Sequence, residues 1–183
     1  MKEEKIHISR RLIEKCLDGD IKAQYQLYKQ YSKAMYNIAI RFLNNKMDAE
    51  DILQEAFITA FKRLDELQNR DLFGSWLKRI VINKCISLQR KRKIAFEEID
   101  EQRHGEADEM DEGLPEVDPA LVHLAIRELP QKGRAVLVLR ALEGYSHKEI
   151  AETLGVSVST SKTQYSRALS LLKKKLKGKV DVN

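Results

Sequence analysis

EIAETLGVSVSTSKTQYSRAL, residues 149–169, reads as two short helices joined by a tight turn. Ile150, Ala151, Leu154, Val156, Tyr165 and Leu169 recur at spacings that build a small shared core. Gly155 suits a left-handed helix exit, and Ser157 suits the cap of the following helix. That second helix presents Ser159, Lys162, Thr163, Ser166 and Arg167. Lys and Arg can reach guanine O6 and N7, and hydroxyls can reach groove edges or backbone, as in helix-turn-helix readers of DNA. Two cations are few for such a surface. Ser161 falls where an apolar core residue is expected, and its hydroxyl is expected to bond back to the carbonyl of Ser157. A helical hairpin with no DNA role would have a similar core.

Upstream of this pair, Asp118-Pro119 has the form of a helix cap followed by a first-turn proline. LVHLAIREL runs on to Pro130, and GRAVLVLRAL runs on to a turn at Glu143-Gly144. Ser146 can cap HKEIAETL. Residues 119–177 are therefore expected to form a four-helix unit ending in the helix-turn-helix.

The segment before it, AFEEIDEQRHGEADEMDEGLPEVDPA, has few apolar residues, no periodicity, two glycines and two prolines. From Glu97 to Asp118 it holds eleven acidic residues and one basic residue, Arg103. Such a stretch cannot bury enough surface to offset its ordering entropy, so residues 95–118 read as a mobile acidic linker. The flanking blocks are both basic, with net charges of +8 over residues 1–96 and +7 over 119–183, which suits a polyanionic partner.

The first block, residues 6–94, reads as all-helical. Ile8 to Leu17 makes a short amphipathic start before the break at DGD. From Ile21 to Leu43, apolar residues at Ala23, Leu27, Tyr31, Ala34 or Met35, Ile38 and Phe42 keep a period near 3.6. In DAEDILQEAFITAFKRL, residues 48–64, Ile52, Leu53, Ala56, Phe57, Ala60, Phe61 and Leu64 share a face, with Asp48 as the expected N-cap. The polar DELQNRD separates this helix from a longer one, Phe73 to about Lys93. The fold expected is all-α: two small helical domains and an acidic linker.

Composition excludes several classes. Only 7% of residues are aromatic, and Gly and Pro together number eleven, which disfavours a sandwich or barrel. No apolar run approaches the ~20 residues that span a bilayer, so no membrane insertion is expected. The N-terminus lacks the apolar core of a signal peptide, and Cys16 and Cys85 form no CxxC, so reduced thiols in a cytoplasmic protein are expected. No Ser/His/Asp grouping, glycine-rich phosphate loop or metal-ligand set is visible, so neither catalysis nor a cofactor is expected.

Two further surfaces carry chemistry. In FGSWLKRIVINKCISLQRKRK, residues 73–93, Phe73, Leu77, Val81, Cys85 and Leu88 mark a buried face, while Arg79, Asn83, Ser87 and Arg90 form a polar stripe. The run Arg90 to Lys93 suits phosphates. Trp76 is either core or a stacking platform for a base. Asp48, Glu50, Asp51, Gln54 and Glu55 form an acidic patch that either complements the helix dipole or meets a basic protein surface.

These segments, taken in order with LAIRELPQKGRAVLVLRALEGYSHKEIAETLGV and STSKTQYSRAL, resemble a bacterial RNA polymerase sigma factor of the extracytoplasmic-function, group 4, type. The resemblance spans nearly all of both blocks. It implies that Asp48, Glu50, Asp51, Gln54 and Glu55 dock on the clamp coiled coil of the largest subunit of core RNA polymerase. It implies that the loop Glu66 to Asp71, with Gln68, Asn69 and Arg70, captures a flipped base of the −10 element. Trp76, Arg79, Asn83, Lys84 and Arg90 would hold that element as the strands open. Arg140, His147, Lys148, Ser159, Lys162, Thr163, Ser166 and Arg167 would face duplex promoter DNA at −35. The second domain would meet the flap of the second-largest subunit, the linker would pass near the RNA exit path, and anti-sigma proteins commonly restrain such factors. The chain departs from the family at Ser161, where Val is common, and at Gln164, where Arg is common. An autonomous helix-turn-helix regulator with an N-terminal sensor or dimerisation domain would explain residues 119–183 equally, but not the acidic patch or the basic stripe. A helical adaptor with no DNA role would leave both basic blocks unexplained.

Overall fold

Residues 2–96 and 118–180 are described by the structure, a computed structural model, and every regular element among them is helical. The chain divides into two units, Met1–Lys93 and Ile94–Asn183. The acidic stretch from residue 97 to 117 lies outside the described residues.

In the first unit, α1 spans Lys2–Leu17 and α2 spans Ile21–Leu43, joined by a turn in which Gly19 takes φ 84°. Asp20 caps α2, its carboxylate accepting from the N–H groups of Lys22 at 2.8 Å and Ala23 at 3.2 Å. Asn44 ends α2 in the left-handed region at φ 51°, and Asn45 then caps α3, Lys46–Lys62, by accepting from the N–H of Asp48 at 3.1 Å. The expected cap at Asp48 is therefore corrected. The Asn-Asn pair closes one helix and opens the next, so α3 starts before Asp48. Two 3-10 turns, Leu64–Glu66 and Arg70–Leu72, lead into α4, Phe73–Phe96, which runs two residues into the stretch expected as linker.

The core of this unit is built from Ile13, Leu27, Phe42, Phe57, Phe73, Leu77, Val81, Ile82 and Cys85, all buried. Tyr31 packs edge-on to Phe73 with centroids 5.2 Å apart. Beside it, a Cβ on Gly74 would lie 3.0 Å from the Tyr31 ring, so a glycine here permits close approach of α2 and α4. Gln89 on α4 donates to the carbonyl of Phe42 at 3.1 Å, satisfying an acceptor in the last turn of α2. Burial pushes the Cys16 thiol up to about 11 and the Cys85 thiol up to about 12, so both are protonated at neutral pH.

In the second unit, Asp118 caps α5, Pro119–Arg127, accepting from the N–H of Ala120 at 2.9 Å. The next helix begins at Gln131, two residues before the expected Gly133, and α6, Gln131–Leu137, loosens into a π turn over Val138–Leu142. There Glu143 N–H donates to the carbonyl of Val138 at 3.1 Å. α7 spans His147–Leu154. Its capping box is complete: Glu149 N–H donates to the Ser146 hydroxyl, and Ser146 N–H donates to the Glu149 carboxylate at 2.8 Å. Gly155 leaves the helix at φ 70°, and α8 runs Val158–Val180, well beyond the expected end near residue 169.

α8 is the spine of this unit, burying Ala168, Leu172 and Leu176. A Cβ on Gly133 would sit 3.2 Å from the Cβ of Ala168, which marks the close crossing of α6 and α8. Arg134 is buried on α6, a feature invisible in the sequence pattern. Its Nη1 donates to the carbonyls of Arg127 at 2.9 Å and Leu129 at 3.1 Å, closing the end of α5. Burial, followed by repulsion from Arg127, lowers its pKa from the usual guanidinium value.

Candidate nucleic-acid interface

The turn between α7 and α8 presents the surface expected to face duplex DNA. Lys148, Ser159, Lys162 and Thr163 are exposed, and Ser166 and Arg167 are half-buried. Arg140, at the π turn, is exposed with Nη1 donating to the carbonyl of Tyr145 at 3.2 Å. Part of the hydroxyl-rich face is already engaged. Thr163 donates to the carbonyl of Ser159 at 3.0 Å, and the Ser159 and Thr160 hydroxyls each lie 2.8 Å from the Ser157 hydroxyl. Those contacts tie off the first turn of α8, leaving the exposed Lys162 and the half-buried Ser166 and Arg167 to meet a ligand.

His147 differs from the other residues on this surface. It is half-buried at the start of α7, with Nδ1 3.0 Å from the hydroxyl of Ser161, which is itself fully buried. Its ring packs edge-on to Tyr165 with centroids 5.6 Å apart. The expected bond from Ser161 back to the Ser157 carbonyl is thus corrected: the hydroxyl crosses to the other helix because the imidazole lies within reach there. The carbonyl of Ser157 takes the Ser161 backbone N–H at 3.0 Å.

Burial first, then the positive charges of Arg140 and Lys162, lower the His147 pKa below the ordinary 6.5. The unfolded chain thus binds this proton at a higher pH than the folded one. The stability contributed is complete above the unfolded value and falls as pH drops through it toward the lower folded value. Urea melts of wild type and His147→Phe at about pH 7.5 and about pH 5.5 should show wild type losing more on acidification. Equal losses in the two proteins would contradict this reading.

In the first unit, α4 presents Arg79, Asn83, Ser87 and Arg90 on one exposed stripe. Trp76 is half-buried, its ring 6.1 Å from that of Phe73, so it is partly core with an open edge. In the preceding loop, Leu67 is a buried anchor, Gln68 and Asn69 are exposed, and Arg70 is half-buried. The Asn69 side chain accepts from the N–H of Asp71 at 3.0 Å, and Arg63 and Glu66 pair at 2.6 Å at the loop's base. The loop is therefore pinned at both ends, with Gln68 at its tip.

The acidic patch on α3 splits into two parts. Asp48 is largely covered and receives Arg92 Nη2 at 2.7 Å, and Glu55 receives Lys84 Nζ at 3.1 Å. These pairs join α3 to α4, so Lys84 and Asp48 act first as structural partners of their neighbours. The outward part is Glu50, Asp51, Gln54 and the exposed edge of Glu55. Met47 is 75% exposed and Ile58 55% exposed, and with Asp51 and Gln54 they form a stripe at i, i+4, i+7 and i+11. The sequence reading missed both apolar members, although their spacing from Asp51 was the available signal. Exposed apolar groups among acids fit a protein partner better than DNA.

Among the described residues, no group of three or more His, Cys, Asp or Glu is placed to hold a metal, and no helix is long and apolar enough to cross a membrane.

Residues 27–94 match the family described as Sigma-70 region 2, and residues 120–172 match Sigma-70, region 4. Two modules of these kinds, in this order, define an RNA polymerase sigma factor. The ECF RNA polymerase sigma factor SigW of Bacillus subtilis (strain 168) is 33% identical over 180 residues, covering 92% of this chain and 96% of its own length. The RNA polymerase sigma-H factor of Pseudomonas aeruginosa is 29% identical over 179 residues, covering 91% and 92%. A solved structure of CnrH with the cytosolic domain of CnrY aligns with TM-score 0.53 at 28% identity, over 93% of this chain and 98% of the matched chain. The chain belongs to the extracytoplasmic-function sigma factors of RNA polymerase. It is a transcription initiation factor, a non-enzymatic role in this family, and the reading as an autonomous regulator is disfavoured by the region 2 match.

Proposed function

We propose that residues 6–94 bind core RNA polymerase and the −10 element, that 95–118 connect the two domains, and that 119–177 read the −35 element. The observation that carries this is one helical unit holding an outward acidic and apolar stripe on α3 beside a basic stripe on α4. The α3 stripe, Glu50, Asp51, Gln54 and Glu55 with Met47 and Ile58, docks on the clamp coiled coil of the largest subunit. Asp48 supports that surface by holding Arg92. Gln68, Asn69 and Arg70 take the flipped −10 base, while Trp76, Arg79, Asn83 and Arg90 hold the single strand and Lys84 steadies α3 against α4. Arg140, His147, Lys148, Ser159, Lys162, Thr163, Ser166 and Arg167 face the −35 duplex, and the second domain meets the flap of the second-largest subunit.

Opening DNA this way is binding energy put to mechanical use. Unstacking and flipping a base costs a few kcal/mol, contacts to the flipped base return about 1–3 kcal/mol each, and polymerase contacts supply the rest. The protein is therefore expected to act in the cytoplasm as holoenzyme. Run-off transcription with core enzyme tests this directly: initiation should depend on adding the protein. Tight sequence-specific duplex binding by the free chain would count against it. An anti-sigma protein is proposed as a further partner; the similar chain CnrH is solved in complex with another protein, the cytosolic domain of CnrY.

A further inference from the structure

Ser161 is fully buried, yet it carries a hydroxyl on the inner side of α8. Its hydroxyl sits 3.0 Å from Nδ1 of His147, on the other helix of the pair. A buried hydroxyl with one such partner is best satisfied by donating to the imidazole, because as an acceptor it would leave its own O–H unmatched. That arrangement places the ring proton on Nε2. His147 is half-buried, so part of its side chain reaches the surface. The Tyr165 ring fixes the imidazole from one side. Arg140 from the π turn and Lys162 from α8 are the charged groups acting on it, and both are cations that favour a neutral ring. The first helix of such a pair crosses the DNA backbone, and His147 begins that helix.

We infer that Ser161 is a positioning residue: through Nδ1 it holds His147 so that Nε2–H donates to a backbone phosphate of the −35 duplex. This rests on the assignment of that surface to −35 DNA. It gives the departure from an apolar residue at 161 a purpose. The serine reaches DNA through a second side chain and never touches it. A neutral donor also adds a contact to a surface with few cations, without further charge.

The experiment has two arms. In the full-length protein, long-range 1H–15N spectra read which ring nitrogen of His147 carries the proton. Wild type should show the Nε2–H tautomer alone above about pH 7.5. Ser161→Ala should show a mixture of tautomers, and Ser161→Thr, which keeps the hydroxyl, should restore the single form. A wild-type Nδ1–H tautomer, or identical spectra for wild type and Ser161→Ala, would overturn the inference. In the second arm, holoenzyme is tested on a promoter selected from a library randomised at −35. His147→Ala and Ser161→Ala should each lower open-complex formation about tenfold, and the double variant should lose no more than either alone. The ranking of −35 sequences should stay the same, as expected for a phosphate contact. Losses that multiply, an unchanged rate in His147→Ala, or a changed base ranking would each refute it. Lys162→Ala separates the two levels. If it too leaves −35 dependence intact, the assignment of the surface fails with the inference; if it alone weakens binding, only the inference fails.

Discussion

Asp51→Arg is expected to abolish co-purification with core RNA polymerase and to lower holoenzyme transcription about 100-fold or more. Asp51 lies on the exposed stripe of α3 between Met47 and Ile58. A cation placed there would face the basic surface that the acidic patch is proposed to meet, and like charges juxtaposed in an interface cost several kcal/mol. The fold should be untouched, because an exposed substitution away from caps and pairs usually changes stability by less than about 0.5 kcal/mol. Glu55→Arg is the less informative variant: it would also set a cation against Lys84, disturbing the α3–α4 contact. Ile58→Asp separates apolar from charge contributions on the same stripe and should weaken binding about tenfold or more. Full core affinity in Asp51→Arg, with transcription intact, would remove α3 from the docking surface.

Phe42→Ala is expected to cost the first unit about 3–5 kcal/mol. Phe42 is fully buried in the last turn of α2, and its carbonyl accepts from Gln89 on α4. Removing the ring opens a cavity in the core of this unit, which its close-packed surroundings can only partly fill. Against the typical total of about 5–15 kcal/mol for a domain, such a loss leaves the unit marginal or unfolded. A urea melt followed by Trp76 fluorescence reports this unit, since Trp76 is the single tryptophan of the chain. Transcription should fall with the folded fraction, and lowering the temperature should recover part of it. A loss below about 1 kcal/mol would mean that Phe42 is not part of the core of this unit.

Much of the fold was legible because local rules and global packing agree. Asp20, Asp118, Ser146 and Ser157 sit where caps are wanted, and Gly155 supplies a left-handed exit that other residues adopt at a cost. The apolar period over Ile21–Leu43 and Phe73–Lys93 is strong enough to fix both helices and their inner faces. The cap of α3 is not legible in the sequence because two adjacent asparagines and Asp48 are all competent caps, and only the path of the chain out of α2 selects Asn45. The end of α8 is hidden in the sequence because the lysine-rich run after Leu172 dilutes the apolar period, although Leu176 is buried.

For the site, the sequence by itself determined which faces are polar, basic or acidic, and the order of modules that marks the family. Periodicity along one helix is local information, and faces follow from it. Tertiary structure alone decided which members of each patch look outward. Asp48 and Lys84 belong to their patches by spacing, yet each has its partner on a different helix, 44 and 29 residues away in the chain. Ser161 breaks an apolar register in the sequence, and its partner, His147, lies fourteen residues earlier on the other helix. A pairing between helices depends on how they cross, and the crossing is set by close contacts such as Gly133 on Ala168 rather than by the pattern of either helix alone.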